Sequence, residues 1–197
     1  MKVTALMLLL AASASLAAES ERIVPPAVPT NIEVSAADFK PFLIGHAVGT
    51  QNYICLPAGW VNFSPQATLF DDDGKQIITH FLSPNPDETG FPPRATWQHS
   101  RDTSAVWAKT TPAETSNDPN FVAPGAIAWL RLQVVGKDEG PTGGDKLTSA
   151  DFIQRINTYG GSAPATGCSL PSEVGNKQLV PYTADYIFYK KRNNHDE

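Results

Sequence analysis

The chain reads as an all-β protein, a single-domain antiparallel sandwich or barrel with long loops. Three observations carry this reading. Apolar residues from Phe39 onward fall in short runs broken by Gly, Pro, Asn and Asp, and no segment has the length and 3.6-residue stripe of a helix. Seventeen prolines and fourteen glycines punctuate those runs, as turns between short strands require. Tyr182, Ala184, Tyr186 and Phe188 alternate with Thr183, Asp185, Ile187 and Tyr189, the period of a half-buried strand. Periodicity leaves sandwich and barrel equally open.

Taken in order, residues 1–17 have the layout of an export signal: Lys2, an apolar run from Val3 to Leu10, small residues, and a Ser15-Leu16-Ala17 cleavage pattern. That run is shorter than the ~20 apolar residues a membrane-spanning helix needs, and no later stretch reaches that length, so no transmembrane segment is expected. Residues 18–38, with Pro25, Pro26 and Pro29, form a Pro/Ala-rich arm. A single β domain is expected over 39–190, followed by a polar tail over 191–197 that includes part of the basic run Lys190-Lys191-Arg192. Candidate strands cover 41–48, 51–56, 60–63, 68–70, 76–81, 95–98, 105–109, 127–135, 152–159 and 178–189. Asp72-Asp73-Gly74 lies between Leu69-Phe70 and Ile77-Ile78 and predicts a hairpin turn, because Asp-Gly tolerates positive φ. Three segments interrupt the strand rhythm, 83–94, 111–124 and 136–146, and are candidate walls of a binding cleft or plain surface insertions.

Without Lys2 the 15 basic residues become 14 against 20 acidic ones, a net charge of −6. An acidic chain without a basic cluster is a poor partner for nucleic acid, whose affinity comes mostly from phosphate neutralisation. Cys55 and Cys168 are the two cysteines. In an exported chain they most economically form one structural disulfide, and the alternative is a pair of free or transiently paired thiols. Redox motifs keep their cysteines a few residues apart, and these are not. The expected location is secreted or periplasmic.

No motif assembles a reaction. His46, His80, His99 and His195 form neither a helical nor a strand metal pair. If the strands around His80 and His99 pair through 83–94, those imidazoles and Asp102 become a weak metal candidate; no metal and no cofactor is otherwise expected. His99-Ser100-Arg101-Asp102-Thr103-Ser104 contains the residue types of a hydrolase triad, with hydroxyl, imidazole and carboxylate too close in sequence to line up as a relay, and no Gly-x-Ser-x-Gly elbow occurs. Asp102-Thr103-Ser104 is better read as a polar turn in which Asp102 bonds local amides. Asp71-Asp72-Asp73-Gly74 lacks calcium-loop spacing, since Gln76 and Leu82 stand at its sixth and twelfth positions. Gly143-Gly144-Asp145-Lys146 lacks the spacing of a phosphate loop. Core packing is the favoured reading for each of the four tryptophans, Trp129 most clearly, and Trp60 and Trp97 are the better candidates for the alternative, a surface ring that stacks a ligand. Asn62-Phe63-Ser64 is a glycosylation sequon, meaningful only in a eukaryote.

Several of these segments together resemble domain-of-unknown-function family 3455, found in exported bacterial and fungal proteins. The matching stretches are Gly49-Thr50-Gln51-Asn52-Tyr53-Ile54-Cys55, Pro65-Gln66-Ala67-Thr68-Leu69-Phe70-Asp71, Ala95-Thr96-Trp97 with Asp102-Thr103-Ser104, and Ile127-Ala128-Trp129-Leu130. Ile153-Gln154-Arg155-Ile156-Asn157-Thr158-Tyr159-Gly160-Gly161 follows with Gly167-Cys168, then Val180-Pro181-Tyr182-Thr183-Ala184-Asp185-Tyr186 with Phe188-Tyr189. The resemblance supports pairing of Cys55 with Cys168 and brings no reaction with it. In the family pattern a glycine often follows the aspartate matched by Asp102, where this chain has Thr103; His80 matches a recurrent histidine and His99 has no counterpart.

The functional expectation is a binding module for a small molecule, a glycan or a cell-envelope component, with His80, Trp97 and Asp102 as candidate ligand contacts. The alternatives are a metal-assisted or carboxylate-dependent hydrolase, using groups such as Asp71, Asp102 and Asp185, and a structural envelope or stress protein. The sequence leaves catalysis and oligomeric state open.

Overall fold

The computed structural model describes residues 23–193; the export-signal stretch and most of the 191–197 tail lie outside them. Among the described residues nine antiparallel strands run in chain order: β1 (Phe39–Leu56), β2 (Gly59–Phe70), β3 (Gln76–Pro84), β4 (Pro93–His99), β5 (Ala105–Lys109), β6 (Thr115–Ser116), β7 (Trp129–Asp138), β8 (Phe152–Gly160) and β9 (Lys177–Lys191). Among the described residues the helical content is three single 3₁₀ turns, at Thr30–Ile32, Pro112–Glu114 and Pro171–Glu173.

The sheet order is β5-β4-β3-β2-β1-β9-β8-β7-β6, and β5 also pairs with β7 from Ala105↔Asp138 to Lys109↔Gln133. That pairing closes eight strands into a barrel, with the short β6 on the same edge of β7. Closure decides between the two architectures the sequence allowed, and it removes the exposed edges an open sheet must protect.

Two pairs of expected strands prove continuous. The 41–48 and 51–56 runs join into β1, and the 60–63 and 68–70 runs join into β2. Gly49 does not break β1; it lets β2 approach, because a Cβ there would sit 2.0 Å from the Gln66 carbonyl oxygen. The Asp72-Gly74 hairpin forms as expected, with the Gly74 amide donating to the Asp71 carbonyl and Gly74 at φ +73°.

Two apolar clusters stabilise the wall from its two sides. The barrel interior holds Ala47, Leu69, Ile78, Trp97, Val106, Leu132, Ile153, Tyr182, Tyr186 and Phe188. Outside β7, β8 and β9, Ile32 from the N-terminal arm packs with Val122, Trp129, Ile156, Ile187 and Tyr189. Gln154 ties arm to wall, donating to the Ile32 carbonyl while accepting from the Tyr189 hydroxyl, both at 2.8 Å.

The three long loops do not wall one cleft. Within 83–94, Ser83 accepts from the indole of the outward-facing Trp107, and Asn85 donates to the Val135 carbonyl on β7. The 111–124 segment contributes Phe121 and Val122 to the outer cluster. The 136–146 segment packs against the β4–β5 turn at one end of the barrel, where a Cβ on Gly140 or Gly144 would collide with Thr103 or Asp102.

Cys55 and Cys168 are bonded, with Cα atoms 5.4 Å apart, and no free cysteine remains. The bond fastens the 161–176 connection to the part of β1 that projects beyond the barrel, so sulfur has no catalytic part.

Candidate functional site

Register sorts inward-facing residues along the barrel axis. At the Asp102 end, Leu147 and Ala150 are fully buried and plug the opening alongside Phe42 and Leu43. Toward the other end, β1 turns Gln51 inward, β9 Tyr182 and Tyr186, β3 His80, β4 Trp97, and β8 Arg155, each two residues on from an apolar partner of the same face.

These six side chains form a polar aromatic set inside the wall. The rings of His80 and Trp97 stack at 4.2 Å and 12°, and the Tyr186 ring meets Trp97 at 5.5 Å, edge to face. The hydroxyls of Tyr182 and Tyr186 are 3.3 Å apart. His80 Nδ1–H donates to the Thr96 carbonyl at 2.8 Å, which fixes Nε2 as the acceptor nitrogen of a neutral ring. Burial holds the His80 pKa down at about 3; the Thr96 bond opposes this and the Arg155 charge reinforces it. Burial, then the neighbouring Tyr186, pushes Tyr182 well above the usual phenol range, against smaller contributions from Arg155 and Gln51. His80 and Tyr182 are therefore uncharged at neutral pH.

Arg155 is the cation of the set. Its Nε and Nη2 both donate to the Ala128 carbonyl, at 3.1 and 2.8 Å, and no carboxylate pairs with it among the described residues. No Asp or Glu is buried among them. Two N–H groups of the set have no acceptor: Trp97 Nε1, on a residue 1% exposed, and Gln51 Nε2, on one 5% exposed. Gln51 lies close enough to influence the Tyr182 oxygen, yet its Nε2 has no partner at hydrogen-bond distance; its Oε1 accepts from Asn62 at 2.9 Å. Trp129 Nε1 also lacks an acceptor, but in the outer cluster.

The expected contacts His80, Trp97 and Asp102 therefore separate. Trp97 is not at the surface; it lies inside the barrel against His80, because inward β-register outweighs its polar sequence neighbours. Trp60 is partly exposed and donates to the Thr166 carbonyl at 3.0 Å. Asp102 sits at the plugged end and organises its own turn. Oδ1 accepts from the Ser104 amide at 3.1 Å and hydroxyl at 2.8 Å, and Oδ2 from the Lys146 amide at 2.8 Å. Burial raises the Asp102 pKa, and these bonds more than offset it, leaving the carboxyl below its ordinary value. His99 Nδ1 is 2.9 Å from Asp102 Oδ1 and accepts from the Asp102 amide at 3.3 Å. The Ser104 hydroxyl proton goes to the carboxylate instead of the imidazole, so the three residues are no catalytic relay.

The candidate metal set is not assembled. His80 stacks on Trp97 while His99 joins Asp102, and among the described residues no three His, Cys, Asp or Glu side chains are grouped to hold an ion. On the outer wall, His46 stands between Asp185 at 2.6 Å from Nδ1 and Asp72 at 2.8 Å from Nε2. The Asp72 bond chiefly raises its pKa, against burial, with Asp185 adding to the rise. Both ring nitrogens are engaged by carboxylates. Asp71 accepts from the Lys75 amide at 2.8 Å within its turn.

Residues 35–190 match the family model described as Protein of unknown function (DUF3455). The chain belongs to that family. Comparison with curated proteins and with solved structures gives no match. The matched span of this DUF3455 protein contains strands β1 to β8, β9 but for its last residue, both cysteines and the whole polar aromatic set.

Arg155, Gln51, Tyr182 and Tyr186 were not singled out as contacts from sequence. A signal existed for Arg155: it stands two residues after Ile153, so it takes the inward register of an otherwise apolar strand face. Nothing local marked Gln51, whose inward position depends on β1 running unbroken through Gly49.

Proposed function

We propose that the protein is a secreted or periplasmic binding module, carried behind a cleaved leader at 1–17. Its site is the barrel interior bounded by Gln51, His80, Trp97, Arg155, Tyr182 and Tyr186. The observation that carries this reading is the pair of buried N–H groups without acceptors, Trp97 Nε1 and Gln51 Nε2. A buried donor left unpaired costs about 1–3 kcal/mol, and such groups call for a partner from outside the protein chain. Aromatic faces with a few convergent polar groups are the usual lining of a small-molecule site, and eight-stranded barrels hold small ligands in this position. The disulfide suits an oxidising compartment. No helix among the described residues is long and apolar enough to cross a membrane.

A thermal-shift and tryptophan-fluorescence screen of the mature protein tests the proposal, using small organic acids and amides, sugars and cell-envelope fragments. The expected result is a saturable rise in melting temperature with a change in indole emission for one of these classes. A flat response to all of them overturns the reading.

A further inference from the structure

We propose that the ligand class of this site is a small organic carboxylate, with its head at Arg155 and its body against the aromatic walls. The inference rests on the binding-module reading above and concerns only which chemistry the site selects.

The groups left over in the set share one polarity. Trp97 Nε1 and Gln51 Nε2 are donors without acceptors, and Arg155 Nη1 makes no hydrogen bond among the described residues. Tyr182 and Tyr186 share a single hydroxyl–hydroxyl contact, which uses one of their two protons and leaves the other to donate. On the acceptor side His80 Nε2 is left, its Nδ1 proton being committed to Thr96, together with the second lone pairs of the tyrosine hydroxyls and of Gln51 Oε1, all uncharged acceptors. A site lined by surplus N–H and O–H groups is complementary to an oxygen-rich, proton-poor head.

Charge points the same way. The Arg155 guanidinium touches a carbonyl but no carboxylate among the described residues, and no acid is buried there to neutralise it. A half-buried cation in low dielectric is stabilised by an anion far more than by a neutral dipole. One arginine with neutral indole, amide and phenol donors balances a single negative charge. A dianionic phosphate would keep one charge uncompensated among apolar walls. Arginine also matches a carboxylate in shape, through paired N–H groups. The flat His80–Trp97 stack and the crossing Tyr186 and Phe188 rings make the interior behind that head aromatic, the lining against which the body would pack.

The test is calorimetric titration of the full mature protein with benzoate, with its uncharged isostere benzamide, with hexanoate and with inorganic phosphate. It is read together with the indole N–H resonances in a nitrogen–proton correlation spectrum. We expect at least one of the two carboxylates to saturate the protein and to bind at least tenfold more tightly than benzamide and phosphate. The Trp97 indole resonance should shift downfield on saturation, while those of Trp60 and Trp107, which already have acceptors, stay in place. Arg155→Gln should weaken carboxylate binding at least tenfold, with Arg155→Lys intermediate. If Arg155→Gln fails to fold, Gln51→Met should weaken it about threefold or more. Equal binding of benzoate and benzamide overturns the carboxylate assignment and leaves the binding module standing. Preference for phosphate overturns it in favour of a phosphorylated ligand. Silence from all four probes overturns it as well, and only silence across the wider screen also removes the site.

Discussion

The two ends of this barrel solve the same problem in opposite ways. Around Asp102, each carboxylate oxygen accepts from turn or loop donors, Ser104 accepts from the Leu147 amide, and Leu147 and Ala150 fill the opening. Around Gln51 and Arg155, a charge and several donors are left with less than their full complement of partners. Satisfied polar groups fix a fold, whereas unsatisfied ones persist where something else is to be bound, at some expense of stability. On the proposed reading, the difference is that between polarity that holds the fold and polarity kept for a ligand.

The largest expected effect tests what both ends share. Replacing both cysteines with alanine opens a tether spanning 113 positions. It should lower unfolding free energy by about 4 to 5 kcal/mol in the chain-entropy model, read as a drop in urea midpoint with a steeper slope, since the untethered denatured chain exposes more surface.

Next comes Asp102→Ala, which strands the Ser104 and Lys146 amides and should cost about 2–4 kcal/mol. The same variant should lose part of its acid sensitivity. A carboxyl whose folded pKa is depressed contributes stability above its unfolded value, near 4, and loses it as pH falls through the folded value. Glu88, held at about 2 mainly by its bond from Arg94, keeps its own contribution in both proteins. The difference in stability between parent and variant should therefore shrink as pH falls below about 4 in acid-denaturation curves. A variant as stable as the parent at pH 7 would break the contrast between the ends.

Gln51→Met sharpens the contrast from the other side. It removes a donor that has no acceptor and, against that gain, the Oε1 that accepts from Asn62, in a side chain of similar volume, and should leave stability within about 1 kcal/mol of the parent. A loss as large as that at Asp102 would show that the Gln51 end is structural too.

The smallest effect belongs to His46 on the outer wall. Its pKa is raised, so its pairing contributes stability below the ordinary histidine value and loses it as pH rises through the raised one. With the imidazole 41% and Asp72 75% exposed, solvent screening limits the gain to less than about 1 kcal/mol. His46→Gln should lower the melting temperature slightly at pH 5 and not at pH 9.

How much was legible in the sequence follows physical range. The Asp-Gly hairpin, the alternation in β9 and the Asp102 turn depend on contacts within a few residues, and all three could be read directly. The Asp102 turn even carries a local strain, Thr103 at φ +63° where the family pattern often has glycine, and a β-branched residue is seldom found there. The long strands were harder to read, since Gly49 and Pro65 resemble breaks until the neighbouring strand is present.

By itself, the sequence determined an all-β chain, two cysteines suited to one bond, and a face of alternating tyrosines, because propensity, turn chemistry and period-two patterning act over short distances. Only the tertiary structure decided that the sheet closes through β5 and β7. It also decided that Trp97 points inward, and that Arg155 from β8 shares an interior with Gln51 from β1 and His80 from β3. Which side chains meet inside a barrel depends on strand order and register across the whole chain, and no local pattern encodes either.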